Sequence, residues 1–213
     1  MSSLAGISET IRAEMESTNE VRDKAIAQSR VLIRQCANTI RAIHRQQWDD
    51  APGLLNEVRE AATKMKAMLA DYPALYYAGY TQDALKEYVE AFLVFAMIRD
   101  EPLPTPQELD VPANTYANGA AEAASELRRH ILDIIRSSGQ YDNAERMLDS
   151  MDEVYTALMT IDFPDAITGG LRRRTDSLRG VLERTRGDFT VSRRQQSLQD
   201  ALQSLAERLN VED

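Results

Sequence analysis

Two short runs place four glutamates at helical spacing. Glu87 and Glu90 sit three apart in Lys86-Glu87-Tyr88-Val89-Glu90-Ala91, and Glu122 and Glu126 sit four apart in the run GAAEAASELR that begins at Gly119. On a helix each pair shares one face. If the two helices pack side by side, four carboxylates converge. Donors that are all oxygen suit hard divalent cations such as Mg2+ or Mn2+.

The neighbouring residues pull in two directions. Ala91 to Ile98 (AFLVFAMI) is apolar without a break, the mark of a helix buried all round. At ~100° per residue, Val94 and Met97 continue the face of Glu87 and Glu90, and a carboxylate on such a stripe needs a partner. In the second run, Ala120, Ala124, Leu127, Ile131 and Ile134 form a core face. Glu122, Glu126, Arg129 and Asp133 lie opposite, and from the residues alone that opposite face reads more simply as a solvated stripe.

The chain has 213 residues and a formal net charge of -9, which fits one domain, 1–213, with ample length for a core. Its few Gly and Pro and its wealth of Ala, Leu, Glu, Arg and Gln favour helix, and no alternating β-branched run marks a strand. A single cysteine, Cys36, excludes an internal disulfide framework and fits a reducing compartment. No leader opens the sequence and no apolar run has the length of a membrane span, so a soluble cytoplasmic protein is expected. An acidic chain is not an obvious nucleic-acid binder. Yet Leu171–Arg194 is locally basic, with arginines at 172, 173, 174, 179, 184, 186, 193 and 194. Such a run is ordinarily a solvated helix face, and a phosphate-contacting surface is the alternative.

The elements expected to position these groups are about seven helices. A first helix over 4–47 would be ~65 Å long, more than one compact domain requires. A second starts after Asp49 or Asp50 with Pro52 and runs to Tyr72. Tyr76–Tyr80 makes an aromatic corner. Thr81 or Gln82 then opens the helix of Glu87 and Glu90, which ends near Asp100. A Pro-rich loop covers 101–114. Further helices span 115–137 (stopping at Ser137-Ser138-Gly139), 141–160, 166–186 and 190–209, and the tail Val211-Glu212-Asp213 frays. The long first helix and the stretch 91–98 together suggest more apolar surface than one chain hides.

Other chemistries find no support. A ferritin-like di-metal bundle needs Glu-x-x-His; neither His44 nor His130 follows a Glu by three. Cys36 lies mid-helix at an apolar position and reads as core. Trp48 and tyrosines 76, 77 and 80 read as packing residues.

The two acidic motifs carry a resemblance. Glu87-Tyr88-Val89-Glu90-Ala91 is similar to the EYVEA segment of the translin superfamily, in its factor X branch, and GAAEAASELR resembles that branch's G-x-A-[DE]-x-x-[GS]-E-L-x-R segment. The order of a long first helix, an aromatic stretch, the EYVEA helix, a variable loop and the second acidic helix also matches. The resemblance covers nearly the whole chain and is that of a prokaryotic, archaeal-type homologue. It implies an all-α protomer of a hollow octameric shell that binds single-stranded RNA or DNA, with Mg2+- or Mn2+-dependent endoribonuclease activity. It places catalytic and metal-binding acids on Glu87, Glu90 and Glu122, with a further acid at Glu126. At position 122 the branch typically has Asp; the extra methylene here moves the carboxylate by about one bond. A cavity-facing surface makes a solvated face and a catalytic one compatible. Arg128 and Arg129, beside the acids, and Arg172, Arg173 and Arg174 are the expected nucleic-acid contacts. The alternative is a shell that binds single strands without cutting them.

Overall fold

The computed structural model describes residues 3–137 and 141–210. Among them are nine helices and no strand: α1 Leu4–His44, α2 Ala51–Met68, α3 Pro73–Tyr76, α4 Gly79–Arg99, α5 Pro106–Leu109, α6 Ala113–Ser137, α7 Tyr141–Met159, α8 Asp165–Thr168 and α9 Leu171–Asn210. The expected stop at Ser138-Gly139 and the tail 211–213 lie outside the described residues.

The all-α class is as expected; the count of about seven is not. Three helices are single turns. The two expected at 166–186 and 190–209 are one continuous α9 of 40 residues. Its true start is set by Gly169 and Gly170, both at positive φ, a conformation that ends α8 and that glycine adopts without cost. Gly180 and Gly187 are tolerated inside the helix. Within the Pro-rich loop, Thr105 and Glu108 form a capping box that starts α5. Asp50 precedes α2 but makes no side-chain cap; Pro52, with its preset φ, stands in the first turn instead.

The centre of the molecule is the pair α4 and α6. α4 packs against α1, α2 and α6, and α6 packs against α4, α7 and α9. Gly119 makes the α4–α6 approach possible: a Cβ there would lie 2.8 Å from Val89 Cβ and 2.9 Å from the Lys86 carbonyl oxygen. α4 is enclosed, with Leu85, Tyr88, Val89, Leu93, Val94, Met97 and Ile98 buried. Its last turn is closed by Arg146 of α7, which donates to the Met97 and Ile98 carbonyls at 2.8 and 3.1 Å. Cys36 is free and buried. Burial pushes its thiol well above the usual range, helped by the charges of Glu87 and Glu90, so it is a core residue.

The stretch 91–98 is therefore covered within the chain and does not add to the exposed apolar surface. Much of that surface lies on two arms, with a further group at Met159, Ile161, Phe163 and Ile167. In α1 the residues before Val21 touch little of the fold, leaving Leu4, Ile7, Ile11 and Met15 exposed. In α9, Val191, Leu198, Leu202, Leu205 and Leu209 are exposed and recur at heptad-like spacing. None of the described helices is long and apolar enough to cross a membrane.

Candidate metal and nucleic-acid site

Glu87 and Glu90 leave the buried face of α4 toward α6, where Glu122 meets them. Carboxylate oxygens of Glu87, Glu90 and Glu122 all lie within 4.8 Å of one another. This convergence follows from the Gly119 contact one turn earlier on α6: with no side chain at 119, the two helices close and the acids come face to face. The donor set is three carboxylates without sulfur or imidazole, which fits Mg2+ or Mn2+.

The electrostatics show how crowded the group is. Burial, reinforced by Glu87, Glu122 and Glu126, pushes Glu90 up to about 8. Glu87 is also raised, first by burial, with Lys86 opposing. Like charges held this close disfavour full ionisation unless a cation joins them.

Two cations are already there. Lys86 donates to Oε1 of Glu122 at 2.8 Å, and its Nζ lies 2.6 Å from Oε2 of Glu122 and 3.4 Å from Glu87. Arg174 of α9 donates from Nε to Glu122 Oε1 at 2.9 Å. Burial works against the Lys86 charge, but the hydrogen bond to Glu122 and the charges of Glu122 and Glu87 outweigh it and hold the ammonium above its usual range.

Glu126 stands apart from the three-carboxylate cluster. Its Oε1 is 2.7 Å from Nε2 of His44, whose side chain is only 1% exposed. The His44 and His130 rings lie side by side, centroids 6.0 Å apart, and the Nδ1 atom of each is buried without a hydrogen-bond partner among the described residues. His130 is held below its usual range by burial and by its neighbour His44. A histidine thus does stand beside the acidic site, on α1. The second acidic face is also not a simple solvated stripe: Glu122 is half-buried and ion-paired to Lys86, Glu126 is half-buried and hydrogen-bonded to His44, while Arg129 is exposed.

The arginines divide. Arg174 belongs to the acidic site and is further held by Asn118 Oδ1 at 3.0 Å and the Gly169 carbonyl at 3.2 Å. Arg128 pins α6 to α9 through Asp188 at 2.8 Å and Thr185 at 3.1 Å. Arg129 lines a shallow groove with Ser125, Leu132 and Arg136. Arg172 and Arg173 are exposed on α9. Lys86, His44 and Asn118 were not singled out from sequence. The lysine stood in plain view beside Glu87 and Asn118 one turn before Glu122 on the same helix; His44 reaches the site only through the packing of a distant segment.

An all-α bundle whose central helices present an acidic cluster to one another is the class that the geometry defines. No family model matches the chain. An uncharacterized protein of Methanocaldococcus jannaschii is 32% identical over 179 residues, 83% of this chain and 78% of that protein. Among solved structures, AfC3PO in complex with duplex RNA superposes with a TM-score of 0.80 at 32% identity, covering 87% of this chain and 95% of that one. AfC3PO alone gives 0.79 at 31% identity, over 87% and 96%. Apo-NeC3PO gives 0.79 at 20% identity over 90% and 100%, a likeness of fold. The chain belongs to the translin superfamily.

Proposed function

We propose that this protein is a metal-dependent endoribonuclease of the translin superfamily that binds single-stranded RNA and cuts it within the chain. The convergence of Glu87, Glu90 and Glu122 at the α4–α6 contact carries this reading. These three carboxylates would hold Mg2+ or Mn2+, with Glu126 as an outer acid. When bound, such ions supply activation of water and stabilisation of charge developing on the phosphate. The chain's own residues do the rest. Arg174 and Asn118 fix the orientation of Glu122, and His44 fixes Glu126. Arg129, with Arg172 and Arg173, offers positive charge to the RNA backbone; Arg128 is already engaged with Asp188.

The AfC3PO relative holds duplex RNA, which supports RNA as the ligand and makes strandedness an experimental question. The exposed apolar arms of α1 and α9 support assembly of several copies, an octameric shell in our reading, in which the acidic face looks into the cavity. Single-stranded DNA would bind the same surface to the extent that the contacts go to phosphates, which both nucleic acids carry.

One observation favours a second reading, a shell that binds RNA without cutting it: Lys86 and Arg174 already neutralise Glu122. Incubation of the purified protein with end-labelled single-stranded and duplex RNA, with Mn2+ or with EDTA, separates the two. Internal cuts that require the metal support the nuclease; binding without cuts in either buffer supports the second reading.

A further inference from the structure

Glu122 is held by two cations that differ in how firmly they are anchored. Arg174 has other attachments, to Asn118 and to the Gly169 carbonyl, and its planar guanidinium is fixed by them. Among the described residues, the ammonium of Lys86 makes its hydrogen bond and ion pairs with carboxylates alone, Glu122 at 2.6 and 2.8 Å and Glu87 at 3.4 Å. Those are two of the three acids whose oxygens lie within 4.8 Å of one another. A lysine head is a compact point charge on a flexible four-carbon stem, able to swing away without moving its backbone.

We infer that Lys86 is a resident, displaceable cation that takes the place of the divalent ion at Glu122 and Glu87, so that metal enters by exchange with its ammonium while Arg174 stays and keeps Glu122 oriented. The inference rests on the metal-site reading above and adds to it. Without metal the cluster is not left as bare repelling carboxylates. The concentration of metal needed to switch the site on is set by Lys86, because the entering ion must first break the ammonium's contacts. Nothing covalent is involved: two ion pairs are lost at Lys86 and carboxylate–metal contacts replace them.

The test is Mn2+ titration by calorimetry of wild type, Lys86→Met and Lys66→Met, each as full chain. Met keeps the apolar stem and removes the charge. Lys66 pairs with Asp110, away from the acids, and serves as the control. Exchange requires Lys86→Met to bind Mn2+ more tightly, by roughly tenfold for removal of a partly buried competing charge, with Lys66→Met like wild type. Equal or weaker Mn2+ binding by Lys86→Met overturns the inference and leaves the metal site standing. Absence of Mn2+ binding in wild type and Lys86→Met alike removes the metal site itself. Should Lys86→Met fail to fold, acylation footprinting of the wild type replaces it, since the sequence has only four lysines, at 24, 64, 66 and 86. Modification of Lys86 that rises on adding Mn2+, against constant labelling of the other three, shows the ammonium released. Unchanged labelling of Lys86 under saturating Mn2+ overturns the exchange.

Discussion

Gly119 of α6 lies so close to Val89 of α4 that a methyl group at 119 would sit 2.8 Å from the valine side chain. That contact ties the fold to the site, because Glu87 and Glu90 flank Val89 on α4 while Glu122 follows Gly119 by one turn. Gly119→Ala should therefore do two things. Overpacking at a buried contact costs about 1–3 kcal/mol, readable as a lowered Tm. The forced separation of α4 and α6 should also weaken Mn2+ binding. A variant with wild-type Tm and wild-type metal affinity would show that the close approach is not what assembles the acids.

The raised Glu90 predicts a pH dependence in metal-free buffer. An acid with a higher pKa in the folded state than in the unfolded chain keeps its proton longer when folded. The native protein then binds more protons than the unfolded chain between the ordinary carboxylate range and about 8, so stability falls as pH rises through that window. Glu90→Gln removes this penalty. With one pKa unit worth about 1.4 kcal/mol, its gain over wild type in EDTA at pH 8.5 should be on the order of a few kcal/mol and should shrink toward pH 5. A gain that does not change between pH 5 and 8.5 would contradict the assignment. For the same reason Mn2+ binding to wild type should release protons and tighten as pH rises from 6 to 8.

Much of this was legible in the sequence, and the limits are physical. The four glutamates, the enclosed α4 and the all-α class follow from spacing, because helical periodicity is a local property. The break expected between 186 and 190 does not occur, because the packing of Leu178, Leu182 and Phe189 carries α9 through Gly180 and Gly187. The partners of the acids were not legible. His44 meets Glu126 across 82 residues and Arg174 meets Glu122 across 52, and no local pattern announces a contact made by tertiary packing. Arg128 and Arg129 look alike in sequence; only the proximity of α9 commits one to Asp188 and leaves the other exposed.

That difference is testable with RNA. Arg129→Glu should weaken binding of any single-stranded sequence and flatten the dependence of log affinity on log salt, which runs at about -0.7 per phosphate neutralised. Arg128→Ala should act mainly on the fold, lowering stability by up to about 1 kcal/mol for a partly exposed pair, with little change in the slope. An unchanged slope in Arg129→Glu together with a flattened one in the Arg172/Arg173 double variant would move the RNA path from α6 to α9.

The arms predict assembly. Light scattering at micromolar concentration should give a mass several times 24.0 kDa, close to eight copies. Leu198→Glu with Leu205→Glu should reduce it by breaking the exposed apolar stripe of α9. A wild-type mass of one chain would leave the arms unexplained and remove the cavity.

The central claim, cleavage of RNA by an acidic site that needs a divalent ion, is tested most directly by single-turnover digestion of end-labelled single-stranded RNA by wild type and Glu90→Gln in Mn2+. Wild type should make internal cuts that vanish in EDTA, and Glu90→Gln should lose at least about a hundredfold in rate, on the scale of removing one positioned group from a catalytic site, with RNA binding retained. Intact RNA after long incubation of wild type in Mn2+, or cutting by Glu90→Gln at the wild-type rate, would contradict it.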